Sequence, residues 1–285
     1  MRTQDGHVQV LREVRGQMLR KGHEEGQVRR QEVRGQVRSE VHGQVRPQMR
    51  PQMRAQELTA KAGRQSPPSK GGGENAAALR LLETYAALAE RGEHLFGDVL
   101  QGQMPRQWSH YPEDDAIDQD SGFQWFYHSH APQDRPGTTE HGHIHLFARR
   151  PRWASRLRSA AELRFTALHG APPASTHTRH LLALGFDARG LPTSLFTVNS
   201  WVTGDRMLNA DLTAELLATM KLDTGHSAID SVLECLVCLY REEIRGLLRQ
   251  RDEALLAWPG SQVLSDEGLE LLSELSIDVD EKLIE

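Results

Sequence analysis

Two stretches decide the fold: Phe123-Gln124-Trp125-Phe126-Tyr127-His128-Ser129-His130 and His141-Gly142-His143-Ile144-His145-Leu146-Phe147-Ala148-Arg149. Both are rich in aromatic and branched residues at alternating positions, the signature of half-buried strands. Pro132, Pro136 and Gly137 mark the segment between them as a loop. Strand parity puts Phe123, Trp125 and Tyr127 on one face of the first strand and His128 and His130 on the other. In the second strand Ile144, Leu146 and Ala148 oppose His141, His143 and His145. If both apolar rows cover one core, the histidine rows must coincide on the opposite face.

Working outward, His180–Phe186 and Thr193–Asn199 read as a second strand pair, joined by Asp187-Ala188-Arg189-Gly190 with glycine where a hairpin needs positive φ. Helical spacing predicts a helix over 76–93 with Asn75 as cap and Leu79, Leu82, Tyr85, Ala86 and Ala89 on one face. Further helices are expected at Trp153–Leu168, at Ala210–Leu222 and, as one long helix capped by Ser227, at about Ala228–Ala257. The order implies an α+β domain at 74–258, with a small antiparallel sheet of about four strands packed with helices. Residues 259–285 read as an acidic C-terminal helix and tail, its helix at Asp266–Leu275.

The first 73 residues differ in kind. They hold 15 Lys+Arg against 7 Asp+Glu, or +8, leaving −13 for the rest of a chain whose net charge is −5. With no Phe, Trp, Tyr, Ile or Cys they cannot offset the entropy of ordering, so a disordered basic tail is expected, closed by a flexible linker at 66–73. The tail repeats Glu-Val-Arg-Gly-Gln from Glu13 and from Glu32. Nucleic-acid binding is not expected of it, because it offers no aromatic side chain for base stacking and its field is diluted by Glu13, Glu24, Glu25 and Glu32.

Cys235 and Cys238 are the only cysteines in 285 residues, which excludes a disulfide framework and makes a cytoplasmic location the expectation. They sit three apart in a helix and read as buried core thiols. No apolar run approaches the ~18 residues of a membrane span, and no glycine-rich nicotinamide or flavin motif is present. The acidic stretch Glu113, Asp114, Asp115, Asp118 and Asp120 fails the EF-hand pattern, since Gly122 is fifth from Asp118 and no closing glutamate follows. It reads as a solvated loop.

The chemistry concentrates in the histidines. Five of 14 lie within 18 residues, where an even spread would leave about one. Along a strand His141 and His145 stand ~13–14 Å apart, whereas zinc needs nitrogen at ~2.0–2.1 Å, so one ion cannot take all of His128, His130, His141, His143 and His145. Two alternate histidines and one from the neighbouring strand make a three-His site with an open water position, with His128, His130 and His143 the first choice. Glu140, at the loop edge, is the candidate ligand, orienting group or general base, and His143 is the other candidate catalytic residue. Zinc, iron or manganese suits such a set. The function expected is a transition-metal site, open between a metal-dependent enzyme acting on a small molecule of unknown identity and a non-catalytic binding module whose histidines hold metal or structure. Asn199, Trp201, Thr203 and Asp205 also alternate and are candidates for a pocket shared with the histidine face, or for a structural loop, and His180 carries a similar ambiguity.

His141-Gly142-His143-Ile144-His145-Leu146-Phe147 resembles the histidine-triad motif, in which one histidine attacks a nucleotide phosphate. That resemblance implies a nucleotide phosphoesterase or transferase, with His143 as nucleophile and His145 and His141 in support. Trp108-Ser109-His110-Tyr111-Pro112, Phe126-Tyr127-His128-Ser129-His130, Glu140-His141-Gly142-His143-Ile144-His145 and Leu195-Phe196-Thr197-Val198-Asn199-Ser200-Trp201-Val202-Thr203-Gly204 together resemble an uncharacterised bacterial family defined only as a domain of unknown function. This second resemblance implies one module over about 76–257, with the repeats outside it and no activity attached.

Overall fold

The computed structural model describes residues 70–107, 109–129, 139–167, 177–258 and 262–284. The expectations for the tail before Lys70, for Trp108 and for His130 lie outside the described residues. In chain order the elements are α1 (Lys70–Arg91), α2 (Gly97–Leu100), β1 (Tyr111–Ile117), β2 (Phe123–Ser129), β3 (Gly142–Arg149), α3 (Arg150–Trp153), α4 (Ala160–Ala167), β4 (Thr178–Phe186), β5 (Pro192–Val198), α5 (Ser200–Thr203), α6 (Ala210–Ala218), α7 (Ser227–Leu239), α8 (Arg241–Ala257), β6 (Leu271–Ser276) and α9 (Val279–Ile284). The class is α+β, as expected. Among these helices none is long and apolar enough to cross a membrane.

One antiparallel sheet in the order β1-β2-β3-β4-β5-β6 runs through the domain. It has six strands rather than about four. β1 occupies the stretch read as a solvated acidic loop: Glu113 and Asp114 are exposed on an edge strand, where charge blunts edge-to-edge pairing and also hides the strand from a hydrophobicity pattern. β6 replaces the second half of the helix expected at Asp266–Leu275. Pairing with β5, from Ser194↔Ser276 to Val198↔Leu271, overrides the helix propensity of its leucines and Glu274. The boundary expected at 258 therefore falls inside a continuous sheet.

The helices cover one face. Trp125, Tyr127, Ile144, Leu146, Leu182, Leu184, Phe186 and Leu195 bury against Ala77, Leu81 and Leu88 of α1 and against the apolar sides of α6, α7 and α8. Trp125 Nε1 donates to Asp230 Oδ1 at 2.9 Å, so the indole is satisfied within this core. In α1 the buried row is Ala77, Leu81 and Leu88, whereas Leu79 and Leu82 are exposed, contrary to the expected face. An alanine- and leucine-rich helix offers two apolar stripes, and packing on α7 selects one. The same helix starts at Lys70, inside the expected linker, where the Gly73 carbonyl meets Cys238 Sγ at 3.7 Å.

Two expected helices are interrupted. Ser159 caps α4 by accepting from Glu162 N at 3.1 Å, which separates α4 from the turn at Trp153. The long helix breaks at Tyr240 (φ −100, ψ 25), so α7 lies along α1 while α8 reaches β5 and β6. His226 holds the cap position expected for Ser227 and makes no side-chain cap bond there. Cys235 is buried as expected, but Cys238 is only half-buried. The turn at Gly190 (φ 80) is as expected, with Asp187 Oδ1 accepting from the N–H groups of Arg189 and Leu191.

Candidate metal centre

Register carries the site. His128 stands opposite His143, and Phe126 opposite His145, so these four share the sheet face that the main helical core does not cover. β4 continues that face with Gly185 opposite His143 and Ala183 opposite His145. The ladder then shifts between Leu146 and Phe147, leaving Leu181 without an opposite residue and bringing His180 opposite Phe147. The bulge turns His180 onto the histidine face, where regular pairing would have pointed it into the helical core. β5 adds Ser194 and Phe196.

Three imidazoles converge. Nε2 of His143 lies 2.5 Å from Nε2 of His128 and 3.0 Å from Nε2 of His145. Candidate donor atoms of these three residues all fall within 4.8 Å of one another. Tetrahedral donors at ~2.1 Å from an ion are separated by ~3.4 Å, so a metal would require His143 Nε2 to draw back by ~0.9 Å from His128 and by ~0.4 Å from His145. The site deepens from His128, 9% exposed, through His143, 5%, to His145, 1%.

The far ring nitrogens are occupied as well. His143 Nδ1 meets Glu140 Oε1 at 2.8 Å, and the other carboxylate oxygen accepts from Ser194 Oγ at 3.2 Å. Gly185 makes the room: a Cβ there would overlap Ser194 Oγ and Glu140 Oε2 and lie 3.0 Å from Glu140 Cδ. His145 Nδ1 meets His180 Nε2 at 2.9 Å. Burial, with the positive charge of Arg251 and then His143 adding to it, pushes the His180 imidazole down to about 3. His180 is therefore neutral at physiological pH, and in the tautomer that leaves its Nε2 unprotonated it accepts from His145 Nδ1–H. Burial first, and neighbouring histidines second, likewise hold His145 well below the ordinary imidazole value. With protons on Nδ1 of His143 and His145, both Nε2 lone pairs point at one spot. A carboxylate or neutral acceptor behind an imidazole is the usual outer support of a metal-bound histidine.

Of the five expected ligands, His128, His143 and His145 are brought together. His141 stands one residue before β3, and its Nδ1 bonds with the Tyr127 hydroxyl at 3.1 Å, away from the three, so the supporting role implied by the histidine-triad resemblance is not met. Sequence alone leaves His180 undecided between a pocket on the histidine face and a structural role, because regular alternation cannot foresee a bulge; the available signal is a lone histidine opening an apolar strand. Ser194 and Gly185 left no signal of their own. Asn199 and Trp201 pin a different segment: Asn199 Nδ2 donates to the Val263 and Leu269 carbonyls, and Trp201 Nε1 also donates to Leu269. Thr203 Oγ1 accepts from Asp205 N, and Asp205 Oδ1 accepts from Thr178 Oγ1, so these bonds brace the turn against β4.

Comparison with curated proteins gives no match, nor does comparison with solved structures. One family model does match, over residues 75–277, more than two thirds of the chain, and it spans the whole six-stranded sheet together with the histidine cluster. The chain accordingly belongs to the family described as Domain of unknown function (DUF6969).

Proposed function

We propose that this domain holds a divalent transition metal through Nε2 of His128, His143 and His145 and uses it as a metal-dependent enzyme on a small-molecule substrate. The observation that carries the reading is the convergence of three Nε2 atoms while the Nδ1 atoms of His143 and His145 are held by Glu140 and His180. Lone pairs facing one another are costly in a buried site unless a cation or a shared proton lies between them. Three protein nitrogens leave a further coordination position for water, and a bound ion there supplies Lewis acidity and a hydroxide at neutral pH. Zinc, iron and manganese all accept imidazole in such a set, and zinc suits a tetrahedral site best.

Within this reading Glu140 orients His143 and raises its basicity, because its carboxylate lies behind the ring rather than on the side of Nε2. The test is the metal content of the full chain, produced without a histidine tag, stripped with chelator and refilled with zinc, iron or manganese in turn. One equivalent of ion, lost on His143→Ala and on His145→Ala but kept on His141→Ala, is the expected result. No uptake of any of the three ions, or equal retention in all variants, overturns it.

A further inference from the structure

His110 touches the histidine cluster without belonging to it. Its ring lies flat on Phe126, with centroids 3.6 Å apart and planes 8° off parallel. Phe126 in turn packs against His145 at 5.2 Å and His128 at 5.6 Å, so the stack seats His110 at the edge of the three converging rings. Its side chain is 43% exposed, whereas those three are buried. Separation decides the role. Rings within the cluster lie 4.3, 4.7 and 5.1 Å apart, centroid to centroid, close to the ~5 Å expected of imidazoles sharing one tetrahedral ion. His110 is 6.3 Å from His128, outside that set but near enough for one water to bridge.

The ring is also held for a purpose. His110 Nδ1 meets Asp115 Oδ1 at 3.1 Å, and the other Asp115 oxygen accepts from Gln124 Nε2 at 2.6 Å. Asp115 adopts φ 58, a left-handed backbone that few side chains tolerate, within the register shift that interrupts β1 between Tyr111 and Ala116. The irregularity aims a carboxylate at one nitrogen of His110 and leaves Nε2 for another partner. This is the acid–base dyad arrangement, a base oriented by a third group.

We infer that His110, oriented by Asp115, is the acid–base residue of the metal centre, an assignment that rests on the metal reading above. With an ion held by His128, His143 and His145, Nε2 of His110 would take a proton from a water on that ion, an O–H bond breaking as an N–H bond forms, and the exposed ring would pass the proton to buffer. The ion would supply the hydroxide so formed as the nucleophile.

The test uses the full chain loaded with zinc and 4-nitrophenyl acetate in dilute buffer as the probe, where hydroxide adds to the carbonyl carbon and 4-nitrophenolate leaves. His110→Gln should keep its zinc by elemental mass spectrometry, lose on the order of 100-fold in rate, and regain rate on addition of free imidazole. Asp115→Asn should lose less. Zinc lost with His110 makes it a ligand and overturns the inference. Unchanged rate, a loss that imidazole does not restore, or an ester left intact by the loaded wild type overturns it also. A wild type that takes up no zinc marks instead the failure of the metal reading.

Discussion

Gly185→Ala tests the support of the site without altering any converging histidine. The added Cβ would overlap Ser194 Oγ and Glu140 Oε2. Restoring contact at ~3.5 Å displaces the carboxylate by roughly 1 Å. The 2.8 Å bond from Glu140 to His143 Nδ1 then opens to nearly 4 Å, beyond hydrogen-bond range. Loss of such a support costs about 10–100-fold in metal affinity, or about 1.4–2.7 kcal/mol. Overpacking separately costs about 1–3 kcal/mol of stability. Zinc affinity is measured by competition with a chromogenic chelator, and stability by urea unfolding in chelator, so the two losses are read apart. Ser194→Ala combined with Gly185→Ala removes one overlap and leaves the other, so binding should stay weak. Affinity unchanged in Gly185→Ala, or restored in the double variant, would refute the role given to Glu140.

His180→Phe keeps the bulk of the ring but removes the acceptor for His145 Nδ1, and zinc affinity by the same competition should fall about 10–100-fold with the fold retained by circular dichroism. Asp118 is buried, which alone would raise its carboxyl, but a hydrogen bond from the Ser121 side chain and the N–H groups of Ser121, Asp223 and Asp120 outweigh burial and hold it below the ordinary carboxylate value. Its folded pKa is thus depressed, so its stabilisation is present above the unfolded value and lost as pH falls through the folded one. Asp118→Asn should be less stable at pH 7, and the gap to wild type should close in melts taken towards pH 3. Ending the chain after Ala257 removes β6 and α9, bares β5 and strips Leu275, Ile277 and Leu283 from the core; a fall in Tm of more than about 10 °C, or loss of cooperative melting, is expected, and a melt like that of the full chain would contradict the six-stranded unit.

The central four strands and the shared histidine face were legible because alternation needs no knowledge of neighbours: once two apolar rows cover one core, His128 must face His143. That argument ends where regular strand ends. His141 precedes β3, so parity did not govern its ring, and Glu140 could be placed near the site only as a loop residue free to turn. His180 lies beyond a bulge that inverts parity. β1 and β6 are edge strands whose pattern is carried by pairing rather than by hydrophobicity, one hidden by acids and Pro112, the other by helix-forming leucines and Glu274. Leu79 and Leu82 show the same limit in a helix, where two stripes compete and only the partner decides.

The unpaired Leu181 in β4 works as a counting device. Were β4 to pair without the bulge, with Leu181 opposite Phe147, His180 would fall opposite Ala148 and swing its imidazole into the hydrocarbon layer, while Arg179 would turn towards the histidine face. The support behind His145 can thus be lost by a slip of one residue in strand pairing with every residue of its chemistry still present, a loss that leaves no trace in a list of histidines.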